Sequence, residues 1–331
     1  NKTGNTRPVM NMTAKPSFRL ALGNTLELDI SESYDPEGTP LNFSWTVSPE
    51  QGVSWDEPGV GVLSAKFTTP GLYTFTGTGL DEDGRSLAIS REVAVYAPSG
   101  WSSFTEPILE SHWSLENVFI RDGSTPTAWY SLNDRSGKLT MKLEADSAMP
   151  LRLSNASHPT LLRELPQANN WVLQSDVELV TIQQGAFNAG VIAELTNNGV
   201  RARYSISVED GDFLRAHRIT SNGAIQLASL PWADKHAVLR LRLIGGSTLS
   251  FDYRLSPGDW VTLSEQTVHA SRPMTGGIFM ATDNPQAVRT EFDYIMLVDP
   301  SAASPAISDL RITEIMFHPA DPLGSEYLEL H

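Results

Sequence analysis

The chain has 331 residues, enough for about two domains of ordinary size, and 40% of them are apolar, so buried cores can form. Cysteine is absent, which excludes disulfides, thiolate-bound zinc and thiol chemistry. A net charge of −15 with no basic tract argues against nucleic acid as a partner, and no run of roughly 18 apolar residues is present to insert in a membrane.

Asn1-Lys2-Thr3-Gly4-Asn5 lacks the apolar core of a signal peptide and no Met stands at the start, so the chain reads as a piece of something longer. Residues 8–97 read as one small all-β unit. Thr25 to Ile30, Leu41 to Val47 and Leu72 to Gly77 alternate apolar with polar, and Pro, Gly and Asp turns separate them. Trp45 in mid-strand and Tyr73 after Pro70-Gly71 match the core tryptophan and the tyrosine corner of an immunoglobulin-type sandwich. Ser33-Tyr34-Asp35-Pro36-Glu37-Gly38 precedes Leu41-Asn42-Phe43-Ser44-Trp45, and Pro70-Gly71-Leu72-Tyr73 precedes Asp81-Glu82-Asp83-Gly84. Together these phrases resemble the polycystic-kidney-disease (PKD) repeat and its bacterial relatives, which implies a PKD-type immunoglobulin-like sandwich over residues 1–98.

Ala97-Pro98-Ser99-Gly100 reads as a linker, and the next unit spans 101–303. Two hairpins inside it fix their own registers. Around Asn198-Gly199 a two-residue turn pairs Leu195 with Ala202, Ala193 with Tyr204, Val191 with Ile206 and Glu194 with Arg203. In 238–255 the leucines and aromatics occupy odd positions and the arginines even ones. A loop centred on Gly246 then sets Leu243 against Leu249, Leu241 against Phe251, Leu239 against Tyr253 and Arg240 against Asp252. A two-residue Gly-Gly turn would put every leucine opposite a polar residue, so a loop of three or five residues is expected. Phe104 through His112-Trp113, His158-Pro159-Thr160, Gly190-Val191-Ile192, Gly258-Asp259-Trp260 and Gly276-Gly277-Ile278 before Glu291-Phe292-Asp293-Tyr294 follow in that order. The order resembles the concanavalin-like, laminin-G-like sandwich at the C-terminus of family 43 glycoside hydrolases. That resemblance implies an antiparallel jelly roll. No five-bladed catalytic domain is present in this chain, so no catalytic carboxylates carry over, and we expect no enzymatic activity from it.

After Ser304-Pro305, Ile307 to Ala320 and Gly324 to Leu330 resemble the opening strands of a bacterial lamin-tail domain, cut short at His331. Residues 304–331 are expected to be poorly tied down or to lean on the sandwich.

Catalytic signatures are missing: no Gly-x-Ser-x-Gly elbow, His-Glu-x-x-His pair, phosphate loop or dinucleotide fingerprint occurs. Calcium is the reasonable ion, because hard cations take oxygen ligands gathered in loops, and Asp35, Asp81 and Asp83 lie in expected turns, as do Glu37, Glu209, Asp210 and Asp212. The same residues form turns without any ion. For sugars, an apolar ring face stacks on Trp or Tyr while hydroxyls pair with planar polar groups. Trp129 and Tyr130 after Pro126-Thr127, and Trp232 after Pro231, are the platform candidates, with Trp260 after its Gly-Asp turn. The other reading makes them closures of the sandwich edge. Arg201, Arg203, Arg240, Arg242 and Arg254 lie on the polar faces of the two hairpins. If the hairpins share a sheet, Arg203 and Arg242 belong to a basic patch suited to uronic or sulfated sugars; otherwise they form a solvated ladder with Glu194 and Asp252.

The sequence therefore points to a secreted or surface-attached bacterial fragment that binds polysaccharide without acting on it and works beside other domains of the same polypeptide. The competing readings are a structural or adhesive spacer that contacts protein or matrix, and an accessory region of a glycoside hydrolase.

Overall fold

The computed structural model describes residues 6–106, 108–117, 119–120, 128–144, 148–151, 158–166, 168–180, 187–197, 199–209, 212–255, 259–268, 270–283, 287–301, 312–315 and 328–330. The fold is all-β. The N-terminal unit contains β1 (Thr13–Lys15), β2 (Arg19–Ala21), β3 (Thr25–Asp29), β4 (Asn42–Ser48), β5 (Val53–Gly59), β6 (Val62–Phe67), β7 (Gly71–Leu80) and β8 (Ser86–Tyr96). One four-stranded sheet runs β1-β3-β6-β5 and the other β2-β8-β7-β4, with β2 parallel to β8. That is the immunoglobulin-like arrangement. Alternation sends Leu26 and Leu28, Leu63 and Ala65, Tyr73 and Phe75 inward, where they enclose Trp45. The Tyr73 hydroxyl donates to the Thr69 carbonyl at 2.9 Å, closing the tyrosine corner.

The second unit is a concanavalin-like sandwich. Its strands are β9 (Trp101–Ser102), β10 (Ser114–Glu116), β11 (Phe119–Ile120), β12 (Ala128–Ser131), β13 (Leu139–Leu143), β14 (Thr160–Glu164), β15 (Trp171–Leu179) and β16 (Phe187–Asn197). They continue with β17 (Val200–Glu209), β18 (Phe213–Thr220), β19 (Gly223–Pro231), β20 (His236–Ile244), β21 (Thr248–Arg254), β22 (Val261–Thr267), β23 (Ala270–Thr282) and β24 (Val288–Val298). A seven-stranded sheet runs β10-β14-β23-β16-β17-β18-β19; a nine-stranded sheet runs β11-β12-β13-β24-β15-β20-β21-β22, with β9 added on β24.

Both hairpin registers read from the sequence are present. Leu195 faces Ala202 and Glu194 faces Arg203, with the strands closing at Asn197 and Val200; Asn198 itself lies outside the described residues. Leu241 faces Phe251, Arg240 faces Asp252, and residues 245–247 form a three-residue loop between Ile244 and Thr248. The inward leucines of β20 share one core with Val191, Ala193, Ile206 and Val208. The two hairpins lie in opposite sheets, however. Their polar faces point away from each other, so the joint arginine patch does not form.

The nine-stranded sheet is apolar on its outer side too, and the immunoglobulin-like unit packs there. Val172, Val238, Tyr294, Met296 and Val298 meet Ala94, Leu72 and Tyr96. Tyr96, Trp101 and Tyr294 stack in series, with centroids 4.8 Å apart at each step and interplanar angles of 16° and 13°. At the joint Gly100 is buried, and a Cβ there would sit 2.2 Å from the Leu297 carbonyl oxygen, so the linker approaches β24 more closely than any side chain permits. Arg240 pairs with Glu92 and Arg91 with Asp259 across the junction. Among the tail residues, β25 (Ile312–Ile315) and β26 (Leu328–Leu330) pair with each other as a separate two-stranded sheet; the rest of the lamin-tail-like stretch lies outside the described residues.

Candidate functional site

The aromatic pair expected in a loop is part of a strand. Trp129 and Tyr130 belong to β12, paired with β13, and are only 2% and 8% exposed. Tyr130 joins the core; Trp129 points the other way, where its indole N–H donates to Glu144 at 2.7 Å and Lys142 lies 5.5 Å from its ring centre. Neither ring offers a face to a sugar. Trp232 is half-buried against the core, edge-on to Tyr253 with 5.2 Å between centroids, and its indole N–H reaches the His236 carbonyl at 3.4 Å.

The two arginines placed in the patch are tied up. Arg203 is buried between Glu194, at 2.8 Å, and Glu116. Burial pushes the Glu194 carboxyl up, but hydrogen bonds from Arg201 and Arg203 outweigh it and hold the group below its usual range. Arg242 shares the fully buried Asp252 with Arg240, and the carboxylate also accepts from Ser250 at 2.7 Å and Thr262 at 2.8 Å. Burial opposes ionisation of Asp252, yet the hydrogen bond from Arg242 and the charge of Arg240 prevail and lower it. The pairing of these arginines with Glu194 and Asp252 is as the ladder reading has it, but the ladder is not solvated: Arg203, Arg240 and Asp252 are buried.

The calcium candidates do not gather. Asp35 is buried in its turn, with Oδ2 accepting from the Thr39 backbone at 3.0 Å, and Asp81 accepts from the Arg85 backbone at 2.7 Å; Asp83 is exposed. Among the described residues no three His, Cys, Asp or Glu side chains converge. The buried Asp35 Oδ1 has no hydrogen-bond partner there, but one such oxygen falls far short of the roughly six to eight that calcium takes. Asp212 pairs with Lys235 at 2.8 Å, while Asp210 lies outside the described residues. Glu209 lines a cavity of about 440 Å³ with Asn188, Arg215 and His217, where Arg215 already pairs with it and no Trp, Tyr or Phe ring is among the lining residues.

Trp260 lines an open cavity. It is half-buried, with the Arg240 and Arg254 guanidiniums 3.8 and 4.4 Å from its ring centre. A cleft of about 740 Å³ runs beside it between the two sandwiches. Arg254, Asp259 and Trp260 form one wall; Phe18, Arg19, Thr74, Ser90, Arg91 and Glu92 form much of the other. Hairpin β20–β21 aims Arg254 outward by alternation, and β2 and β8, as neighbours in one sheet, bring Arg19 close to Arg91 and Glu92. The size suits a small organic ligand, which calls for several hundred Å³. Arg19, Arg91 and Glu92 were not legible as site residues, because their role depends on the packing of the sandwiches.

No family model matches the chain, and no curated protein does. Among solved structures, it is similar to a GH43 protein from Bacillus licheniformis at 15% identity and a TM-score of 0.49, over 80% of this chain and 52% of that one. A xylan beta-1,4-xylosidase from Bacillus halodurans C-125 matches at 14% identity and a TM-score of 0.47, over 83% and 60%. The CBM2 module of a Lactobacillus casei BL23 phage protein matches at 16% identity and a TM-score of 0.38, over 60% and 93%. The chain thus spans about half to three fifths of the first two proteins. At such identities the likeness concerns architecture alone.

Proposed function

We propose that the chain is a non-catalytic carbohydrate-binding part of a larger secreted or surface protein, and that the saccharide lies in the cleft between the sandwiches. The observation that carries this reading is the Trp260 ring set in a cleft of about 740 Å³ that Met12 and Phe18 also line, together with the hydroxyls of Ser17, Thr74 and Ser90 and planar charged groups. An indole covers the apolar face of a sugar ring, and guanidiniums and carboxylates pair with its hydroxyls. On this reading, residues 1–98 are a PKD-like unit that supplies one wall, 101–303 supply the other, and 304–331 begin a lamin-tail-like module.

Affinity electrophoresis through gels containing plant, algal and bacterial polysaccharides tests the proposal. Trp260 also packs against the junction cluster, so Trp260→Ala is run at a temperature where circular dichroism shows it folded; retention of the unaltered protein by at least one of these gels, lost in the folded variant, supports the proposal. No retention on any of them would sink it. The spacer reading draws on the apolar junction, which fixes the two units together whether or not anything binds.

A further inference from the structure

We propose that the cleft selects an acidic polysaccharide, one whose sugar rings carry carboxylate or sulfate groups. This rests on the carbohydrate reading of the same site and assigns its ligand class.

The argument is one of charge. Two carboxylates line the cleft, and both are spent: Glu92 pairs with Arg240, and Asp259 with Arg91 at 3.1 Å. Arg19 and Arg254 also line it, and among the described residues neither has a carboxylate ion-pair partner and the buried Arg254 Nε has no hydrogen-bond acceptor. Tyr294 lies 4.2 Å beneath the Arg19 guanidinium, but burial pushes its phenol up, so it brings no counter-charge. Burial likewise pulls the Arg254 guanidinium down from its ordinary range; Arg19 and Arg240 pull the same way, while Tyr294 and Glu92 act against the shift without overcoming it. Two guanidiniums therefore line the cleft without an ion-pair partner among the described residues, the neighbouring Glu92 being already paired with Arg240. Planar, fork-shaped donors of this kind match carboxylate and sulfate oxygens.

The net charge of −15 does not cancel this preference. At physiological ionic strength, charges more than about 8 Å apart are largely screened, so an anion inside the cleft answers to the cleft's own groups, where Asp259 and Glu92 are paired and Arg19 and Arg254 are left over, rather than to the distant acidic surface. An uncharged sugar would leave the two cations uncompensated; an acidic one satisfies them and still stacks on Trp260.

Binding to polygalacturonate and to a sulfated galactan, each beside its carboxyl-reduced or desulfated form, tests the proposal, with polyglutamate as a polyanion control. One or both parent glycans should bind, their neutral forms at least tenfold more weakly, and the pair that responds identifies the acid. Arg254→Gln should weaken binding about tenfold or more, since a hydrogen bond to a charged group is removed. Raising salt from about 0.02 to about 0.5 M, which shortens the screening length from roughly 20 to roughly 4 Å, should weaken it further. The salt series on the unaltered protein decides the matter should Arg254→Gln fail to fold. Equal binding of neutral and acidic forms overturns this inference and leaves the carbohydrate reading standing. Equal binding of polyglutamate overturns the carbohydrate reading, and no binding at all overturns both.

Discussion

Lowering the pH should loosen the second sandwich through His158, and the size of the effect follows from its surroundings. The ring is fully buried, edge-on to Phe279 at 5.5 Å, and burial, helped by the Arg203 charge, pushes the imidazole from 6.5 to about 3. The folded pKa lies below the unfolded one, so the unfolded chain takes up a proton that the native protein refuses. Stability is fully present above about pH 6.5 and is lost as the pH falls toward 3. At pH 5 the unfolded histidine is almost wholly charged and the folded one almost wholly neutral, a penalty of about 2 kcal/mol. His217, down to about 4, adds a loss of the same sign, whereas His236 and Glu209 are raised and act in the opposite sense. A difference measurement isolates the one residue. Urea unfolding of the protein and of His158→Phe at pH 7.5 and pH 5 should show the variant losing about 2 kcal/mol less between the two conditions. Phenylalanine keeps the contact with Phe279. Identical pH dependence in the two proteins, or a His158 titration near 6.5 by NMR, would refute the reasoning.

Asp252→Asn should cost about 3–5 kcal/mol, because it strips Arg240 and Arg242 of their shared buried partner. Thermal melting checks this, and a loss under about 1 kcal/mol would show that the pair is dispensable. Trp129→Ala should lower stability by about 3–5 kcal/mol, as expected for emptying a buried aromatic site, and leave polysaccharide retention unchanged. Retention lost at full stability would instead put Trp129 in the binding site.

What could be read from the sequence was local. Each hairpin carries its register in its own alternation and turn, so Arg240 opposite Asp252 was visible from residues 238–255 alone. Which sheet a hairpin joins is decided by strands far along the chain: β20 pairs with β15, and β16 with β23. The shared-sheet patch failed for that reason. Trp129 looked exposed because Pro126 and Thr127 precede it, yet its environment is set by Lys142 on the neighbouring strand and Glu144 just past that strand's end. The junction between the sandwiches did leave a trace. Tyr294-Ile295-Met296-Leu297-Val298 is apolar at every position, the mark of a strand covered on both faces, and its outward members are those that meet the first unit. The Arg240–Glu92 pair spans 148 residues and has no local signature.

The cleft is walled on one side by β2 and β8 and on the other by the hairpin and Trp260, so neither sandwich holds a whole binding surface. Any occupant therefore works as a clasp. Prying the two units apart means first evicting it, which at a hundred times its Kd adds about 2.7 kcal/mol to the separation. Tension along the chain, passing from Tyr96 through Trp101 to β24, would be resisted by the occupant as well as by the stacked rings. A chain gripping its ligand there becomes harder to pull open because it is gripping.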